Sequence, residues 1–160
     1  MTTLDQASMF LDTMIEVIGN DSHATGETAL AQRLRDAGLR PTRQRLLIAE
    51  LLLDGRHRHV SADSLAREIR DTGAHMAGGT VYNTLNQFTE AGLLRRVTVH
   101  NEHSVFDTNT DHHHHFSDAA RDQLIDIPAN AVTLASLPGA PDGHAIRSVD
   151  VLIHISVRDD

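Results

Sequence analysis

Apolar positions along this chain recur with helical spacing up to residue 92 and give way to strand-like runs after it. Residues 27–38 place Leu30 and Leu34 four apart and finish on Gly38, which predicts a helix with a glycine stop. Thr42 predicts the cap of a second helix, whose apolar positions Leu46, Leu47, Ala49, Leu51 and Leu53 run to Gly55. Ser61 caps a third, with Leu65 and Ile69 inward and Gly73 closing it. After the Gly78-Gly79 break a fourth helix is expected from Thr80 through Val81, Leu85 and Phe88, ending at Gly92. Two β-rich runs follow, Leu94–Val99 and Ser104–Phe106, joined by residues 100–103. Helices followed by a hairpin make a winged helix-turn-helix, in which the last helix before the wing enters the major groove of DNA.

The two ends carry weaker patterns. Residues 2–19 hold Leu4, Met9, Phe10, Leu11, Met14, Ile15 and Ile18 in a helix-like arrangement before the breaker that runs from Gly19 to Gly26. Pro128, Pro138-Gly139 and Pro141-Asp142-Gly143 predict turns with one short helix among them, and Val149–Val157 reads as a strand.

Charge sharpens the DNA-binding expectation. The net charge is −8, but eleven arginines lie between Arg33 and Arg96 against seven acids, a local charge of +4. Residues 1–32 carry five acids and no base, and residues 97–160 carry ten acids against three bases. A basic middle between acidic ends is the asymmetry of a nucleic-acid binder. The exposed face of the fourth helix offers Thr80, Asn83 and Asn86, with Gln87, as hydrogen-bonding groups, and Tyr82 as a flat ring for a thymine methyl. Arg40, Arg43 and Arg45, with Arg56 and Arg58, are placed for phosphates, which give affinity without sequence information.

The chain has no cysteine, so disulfides, thiolate zinc sites and a cysteine nucleophile are excluded, and any metal must be held by His, Asp or Glu. No apolar run approaches a membrane span and the start lacks a secretory signal, so a cytoplasmic protein without a membrane partner is expected. Four consecutive histidines, His112, His113, His114 and His115, follow the run Ser104-Val-Phe-Asp107. Imidazole is the commonest protein ligand for transition metals. On a strand His112 and His114 face one way and His113 and His115 the other, so one segment can serve two sites.

Several of these segments, in this order, resemble the ferric uptake regulator superfamily. They are Gly38-Leu-Arg-Pro-Thr-Arg-Gln-Arg45, His59-Val-Ser-Ala-Asp-Ser-Leu65, Gly79-Thr-Val-Tyr-Asn-Thr-Leu-Asn-Gln-Phe88, Ala91-Gly-Leu93 and Ser104-Val-Phe-Asp107. The His112–His115 run, with Leu124-Ile-Asp-Ile-Pro128 and no cysteine, is most similar to the iron response regulator (Irr) branch. The resemblance implies an α+β protein: a helical extension over 1–26, a winged-helix DNA-binding domain over 27–109, and an α/β dimerisation and sensing domain over 110–160. It implies a homodimer or tetramer on an inverted-repeat iron-control operator, repressing or activating when iron is scarce and responding to haem.

Carried over position by position, the resemblance implies a hinge metal site of His59, Asp107, His115 and Asp126, for manganese, iron or zinc. Asp stands at the second and fourth of these positions, where the family usually has Glu. A second site would use His112 and His114, with His154 as a candidate third ligand. Haem, lacking the Cys-Pro motif of some Irr proteins, would depend on His112, His113, His114 and His115. Two alternatives stay open at this point: a regulator sensing manganese, zinc or peroxide directly, and a metal-dependent hydrolase built on the His and Asp clusters.

Overall fold

The computed structural model describes residues 28–99 and 104–157. The apolar pattern over 2–19 and the hairpin loop 100–103 lie outside the described residues. A helical run over 28–36 (α1) is followed by α2 (Arg43–Leu52), β1 (His59–Val60), α3 (Ala62–Asp71), α4 (Gly78–Glu90), β2 (Arg95–Thr98) and β3 (Ser104–Asp107). After a short linker come β4 (His113–Asp118), β5 (Gln123–Pro128), a 3-10 turn (Ala129–Ala131) and β6 (Leu152–Ile155).

Capping chemistry sets the helix starts. The Thr42 side chain accepts from the Arg45 N–H, and Ser61 and Ser64 each accept from the other's backbone N–H, a reciprocal box. Such caps contribute about 1 kcal/mol each. Helix α4 corrects the expected start at Thr80: it begins at Gly78, because the Ala77 carbonyl accepts from Thr80 N–H at 2.9 Å and Val81 N–H at 3.1 Å. The two glycines therefore belong to the first turn, whose N–H groups need no intrahelical partner. At the other end Gly92 adopts φ +72° and lets Leu93 N–H reach back to Phe88 O at 2.8 Å, which reverses the chain into β2.

The apolar faces of these helices meet in one core of Leu34, Ile48, Leu52, Leu65, Ile69, Val81, Leu85 and Phe88, closed by Val60 and Phe106 from the sheet. The sheet has the order β1-β3-β2, all antiparallel. Strand β1 was not expected from the sequence; two residues are too few to show a period. Its register places His59 opposite Asp107 and Val60 opposite Phe106.

A second sheet has the order β5-β4-β6, with β5 antiparallel and β6 parallel to β4. The short helix expected within 128–143 is the 3-10 turn Ala129–Ala131. No helix among the described residues is long and apolar enough to cross a membrane.

Candidate metal centre

Register alone brings the charged groups together. In the first sheet His59 and Asp107 are cross-strand partners, and in the second His115 faces Asp126. Strand β4 alternates, so His113 lies on the same side as His115. The two sheets meet at this point, and the inner atoms of His59, Asp107, His113, His115 and Asp126 all lie within 4.8 Å of one another. Asp107 Oδ2 is 2.9 Å from His113 Nε2, 3.3 Å from His115 Nε2 and 3.6 Å from His59 Nε2. Asp126 Oδ1 is 3.0, 3.5 and 3.7 Å from the same nitrogens of His59, His113 and His115.

The groups behind these atoms aim them inward. Asp107 Oδ1 accepts from the Asn109 N–H at 2.8 Å, and Asp126 Oδ2 accepts from Asn109 Nδ2 at 3.3 Å, so one asparagine holds the outer oxygen of both carboxylates. His113 donates Nδ1–H to the Asp111 carbonyl at 2.7 Å, which leaves the Nε2 lone pair facing the centre. His59 Nε2 and Asp126 Oδ1 are buried and make no hydrogen bond, although they are only 3.0 Å apart. They point at a shared space rather than at each other, and an unpaired buried polar atom of this kind costs about 1–3 kcal/mol unless a ligand satisfies it.

Electrostatics give the same reading. Burial would lower the His59 pKa, but the carboxylates of Asp107 and then Asp126, 3.6 and 3.0 Å away, outweigh it and hold the imidazole above its usual range. Burial would raise Asp107, but the hydrogen bond from His115, the nearby His59 imidazole and the Asn109 N–H hold its carboxyl well below the usual carboxylate range. With its imidazoles neutral, as metal ligation requires, this donor set would carry a charge of −2, the complement of a divalent cation. Donors of a first-row ion lie ~2.0–2.2 Å from it, so neighbouring donors are about 3 Å apart and opposite ones about 4 Å. The separations of 2.9–3.7 Å between carboxylate oxygens and imidazole nitrogens are those of donors that could share such an ion. Mixed imidazole and carboxylate donors suit manganese, iron and zinc.

The structure thus brings together His59, Asp107, His115 and Asp126, the four residues expected at the hinge, and adds His113. The alternation of the histidine run already paired His113 with His115, and that was the signal for the fifth donor. On the opposite face, His112 Nε2–H donates to Val149 O at 3.3 Å and His114 Nδ1 accepts from Val151 N–H at 3.3 Å, with their rings edge-on at 5.1 Å. Burial first, then the charges of His112 and Arg95, lower the His114 pKa. His154 does not join this pair: it is the cross-strand partner of Ser117, so it projects from the His113 and His115 side of the sheet. The four histidines expected to hold haem do not form one face, and only His112 of the four is exposed.

The expected DNA surface divides similarly. Val81, Thr84, Leu85 and Phe88 of α4 are buried, while Asn83 and Tyr82 are exposed and Thr80 and Asn86 half-buried. Tyr82 is 40% exposed, and its ring meets Phe106 edge-on at 6.3 Å. Arg40 and Arg43 are exposed. Arg45 is committed inside the protein, donating to Gln87 Oε1 at 2.9 and 3.3 Å and to Arg40 O at 2.8 Å, and so fixes α4 against α2. Arg56 and Arg58, expected at phosphates, are paired with Asp54 and Glu68.

The model of the ferric uptake regulator family matches residues 36–136, more than half of the chain. The chain belongs to the ferric uptake regulator family. It is 42% identical over 83 residues to the ferric uptake regulation protein of Vibrio anguillarum, covering 52% of this chain and 56% of that protein. Against the Escherichia coli K12 protein of that name it is 41% identical over 81 residues, covering 51% and 55%. The chain thus spans about half the length of the curated relatives it matches. Its fold is similar to the crystal structure of the Vibrio cholerae ferric uptake regulator, with a TM-score of 0.63 and 26% identity over 79% of this chain and 98% of that one. It is also similar to a Pseudomonas aeruginosa ferric uptake regulator solved with manganese, with a TM-score of 0.60 and 23% identity over 80% and 97%. These neighbours share the α+β plan of a winged helix followed by a second small domain. Membership in a family of regulators sets aside the hydrolase alternative.

Proposed function

We propose that the protein is a metal-responsive, DNA-binding transcription regulator of iron homeostasis. The observation that carries this is the five-donor cluster, because His59 and Asp107 belong to the winged-helix sheet while His113, His115 and Asp126 belong to the second sheet. A bound divalent cation would supply one positive centre on which donors from both sheets converge. Those residues would then fix the angle between the two domains, and with it the placement of α4 on DNA.

A homodimer completes the proposal. Phe116, Ile125 and Ile153 are cross-strand neighbours on the His114 face of the second sheet, with Ile125 47% and Ile153 37% exposed. A two-fold dimer through this face would present two copies of α4 to an inverted repeat. Thr80, Tyr82, Asn83 and Asn86 would read bases, and Arg40 and Arg43 would meet phosphates, in the cytoplasm where such DNA lies.

The residues that resemble the Irr branch support a finer part of the reading, a response to haem under scarce iron. Since His113 and His115 are buried in the cation cluster, a haem iron taking either imidazole would remove a donor from that cluster; exposed His112 is the first imidazole it would meet. The test is DNA affinity with manganese, zinc and haem added separately to metal-free protein. Affinity that rises with manganese or zinc and falls on adding haem supports the full reading. Affinity that follows the metals and ignores haem leaves a direct metal sensor, and affinity blind to all three overturns the proposal.

A further inference from the structure

We propose that Arg95 is the positioning residue through which the cation centre sets the wing; this rests on the metal-responsive reading above. Arg95 opens β2, the first strand of the wing, and is the cross-strand partner of Asp107. Its side chain is mostly covered, with 21% exposed, and its guanidinium leaves the wing altogether. Nη1 donates to the carbonyls of Asp111 at 3.3 Å and His113 at 3.4 Å, and Nη2 pairs with Asp150.

The Asp111 and His113 carbonyls belong to the segment that carries His113 and His115, and Asp150 adjoins the strand that pairs with that segment. The Asp111 carbonyl that receives Arg95 also accepts His113 Nδ1–H, so one oxygen both orients a ligand ring and anchors the wing strand. Asp150 directly precedes Val151, whose carbonyl accepts the His115 N–H at 3.0 Å. With His113 and His115 committed to a cation, these two backbone segments are fixed, and Arg95 carries that fixation into β2. Groups behind metal ligands tune them in this way. A planar fork gripping two carbonyls and a carboxylate from different segments is work that arginine does and lysine does not.

The experiment uses the full chain, manganese as the ion, and a duplex selected with the wild-type protein in manganese. DNA affinity is measured with chelator and with manganese for wild type, Arg95→Met and Asp150→Asn. Manganese affinity is measured with and without DNA, and hydrogen exchange of the β2 amides with and without manganese. The wild type should show a manganese-dependent gain within the usual range of coupling, roughly 5–150-fold. Both variants should lose most of that gain while their metal-free DNA affinity stays put. By reciprocity DNA should then no longer tighten manganese binding, and manganese should no longer protect the β2 amides.

A full gain retained in both variants overturns the proposal. So does an equal loss with and without manganese in Arg95→Met, which marks a plain phosphate contact. If Arg95→Met does not fold, Asp150→Asn decides alone, because that carboxylate is 56% exposed and bears no positive charge for DNA. Absence of any manganese effect in the wild type overturns the functional reading itself, and the relay with it.

Discussion

Asp126→Asn is the sharpest perturbation of the proposed cation site. Asp126 Oδ1 reaches within 3.0–3.7 Å of three imidazole nitrogens, yet its side chain is 33% exposed, so the substitution removes a donor charge without opening the core. Breaking a fully buried ionic partnership costs about 3–5 kcal/mol, and one-third exposure puts this case at the low end, about 3 kcal/mol. At 1.4 kcal/mol per decade this is a loss of about two orders of magnitude in cation affinity. The metal-free protein should hardly notice, within ~0.5 kcal/mol, because the change also removes one of two facing carboxylates. Competition with a chromophoric chelator at pH 7.5 measures the affinity, and thermal unfolding in chelator measures the control. A loss below about fivefold would refute the reasoning, since Asp126 would then be a hydrogen-bonding neighbour of His59 and not a donor.

Other consequences are as direct. The raised pKa of His59 stabilises the metal-free fold at pH below the unfolded value of about 6.5, and that contribution is lost as pH rises through the folded value. Cation affinity should run the other way, climbing over the same interval as His59 gives up its proton, so chelator-treated and manganese-loaded protein should show opposite pH slopes in thermal unfolding. Arg43→Ala should reduce the salt slope of DNA binding by about one, whereas Arg58→Ala, already paired with Glu68, should leave the slope unchanged and cost about 0.5–1 kcal/mol of stability. Gly92→Ala should cost about 1–2 kcal/mol in denaturant unfolding through backbone strain alone, because an added Cβ meets nothing within 4 Å but φ is +72°.

What the sequence showed depended on whether a signal was local. The caps Thr42 and Ser61 and the glycine stop at Gly92 lie within one turn of what they control, and they stand where expected. Strand β1 was invisible because its two residues are strand only by pairing with β3, and that pairing is what sets His59 against Asp107. His113 was not among the expected metal ligands, although the alternation of the histidine run already put it on the His115 face. His154 was not placeable, because its face depends on the parallel register of β6 with β4, which no local pattern encodes. Arginines were the least legible of all. Arg40, Arg43, Arg45, Arg56 and Arg58 lie close together in the sequence, yet three of the five have side-chain partners within the protein, Gln87, Asp54 and Glu68.

The division of donors between the sheets bounds what such a regulator can do. A ligand shifts a conformational equilibrium only by its difference in affinity for the two states. With the domains apart, the second sheet still offers His113, His115 and Asp126, an incomplete but competent set. The winged-helix sheet brings only His59 and Asp107. The free energy available to hold the domains together is therefore what those two donors add, not the whole affinity of the site. Asp107 stands within 2.9–3.6 Å of all three imidazoles, so its loss on opening removes the donor nearest the centre of the set. The short Asp side chain at 107 sharpens that increment further, because a carboxylate of that reach meets His113 and His115 only when the sheets are closed. On the proposed reading, a protein built this way would bind a cation in both arrangements and report it through one.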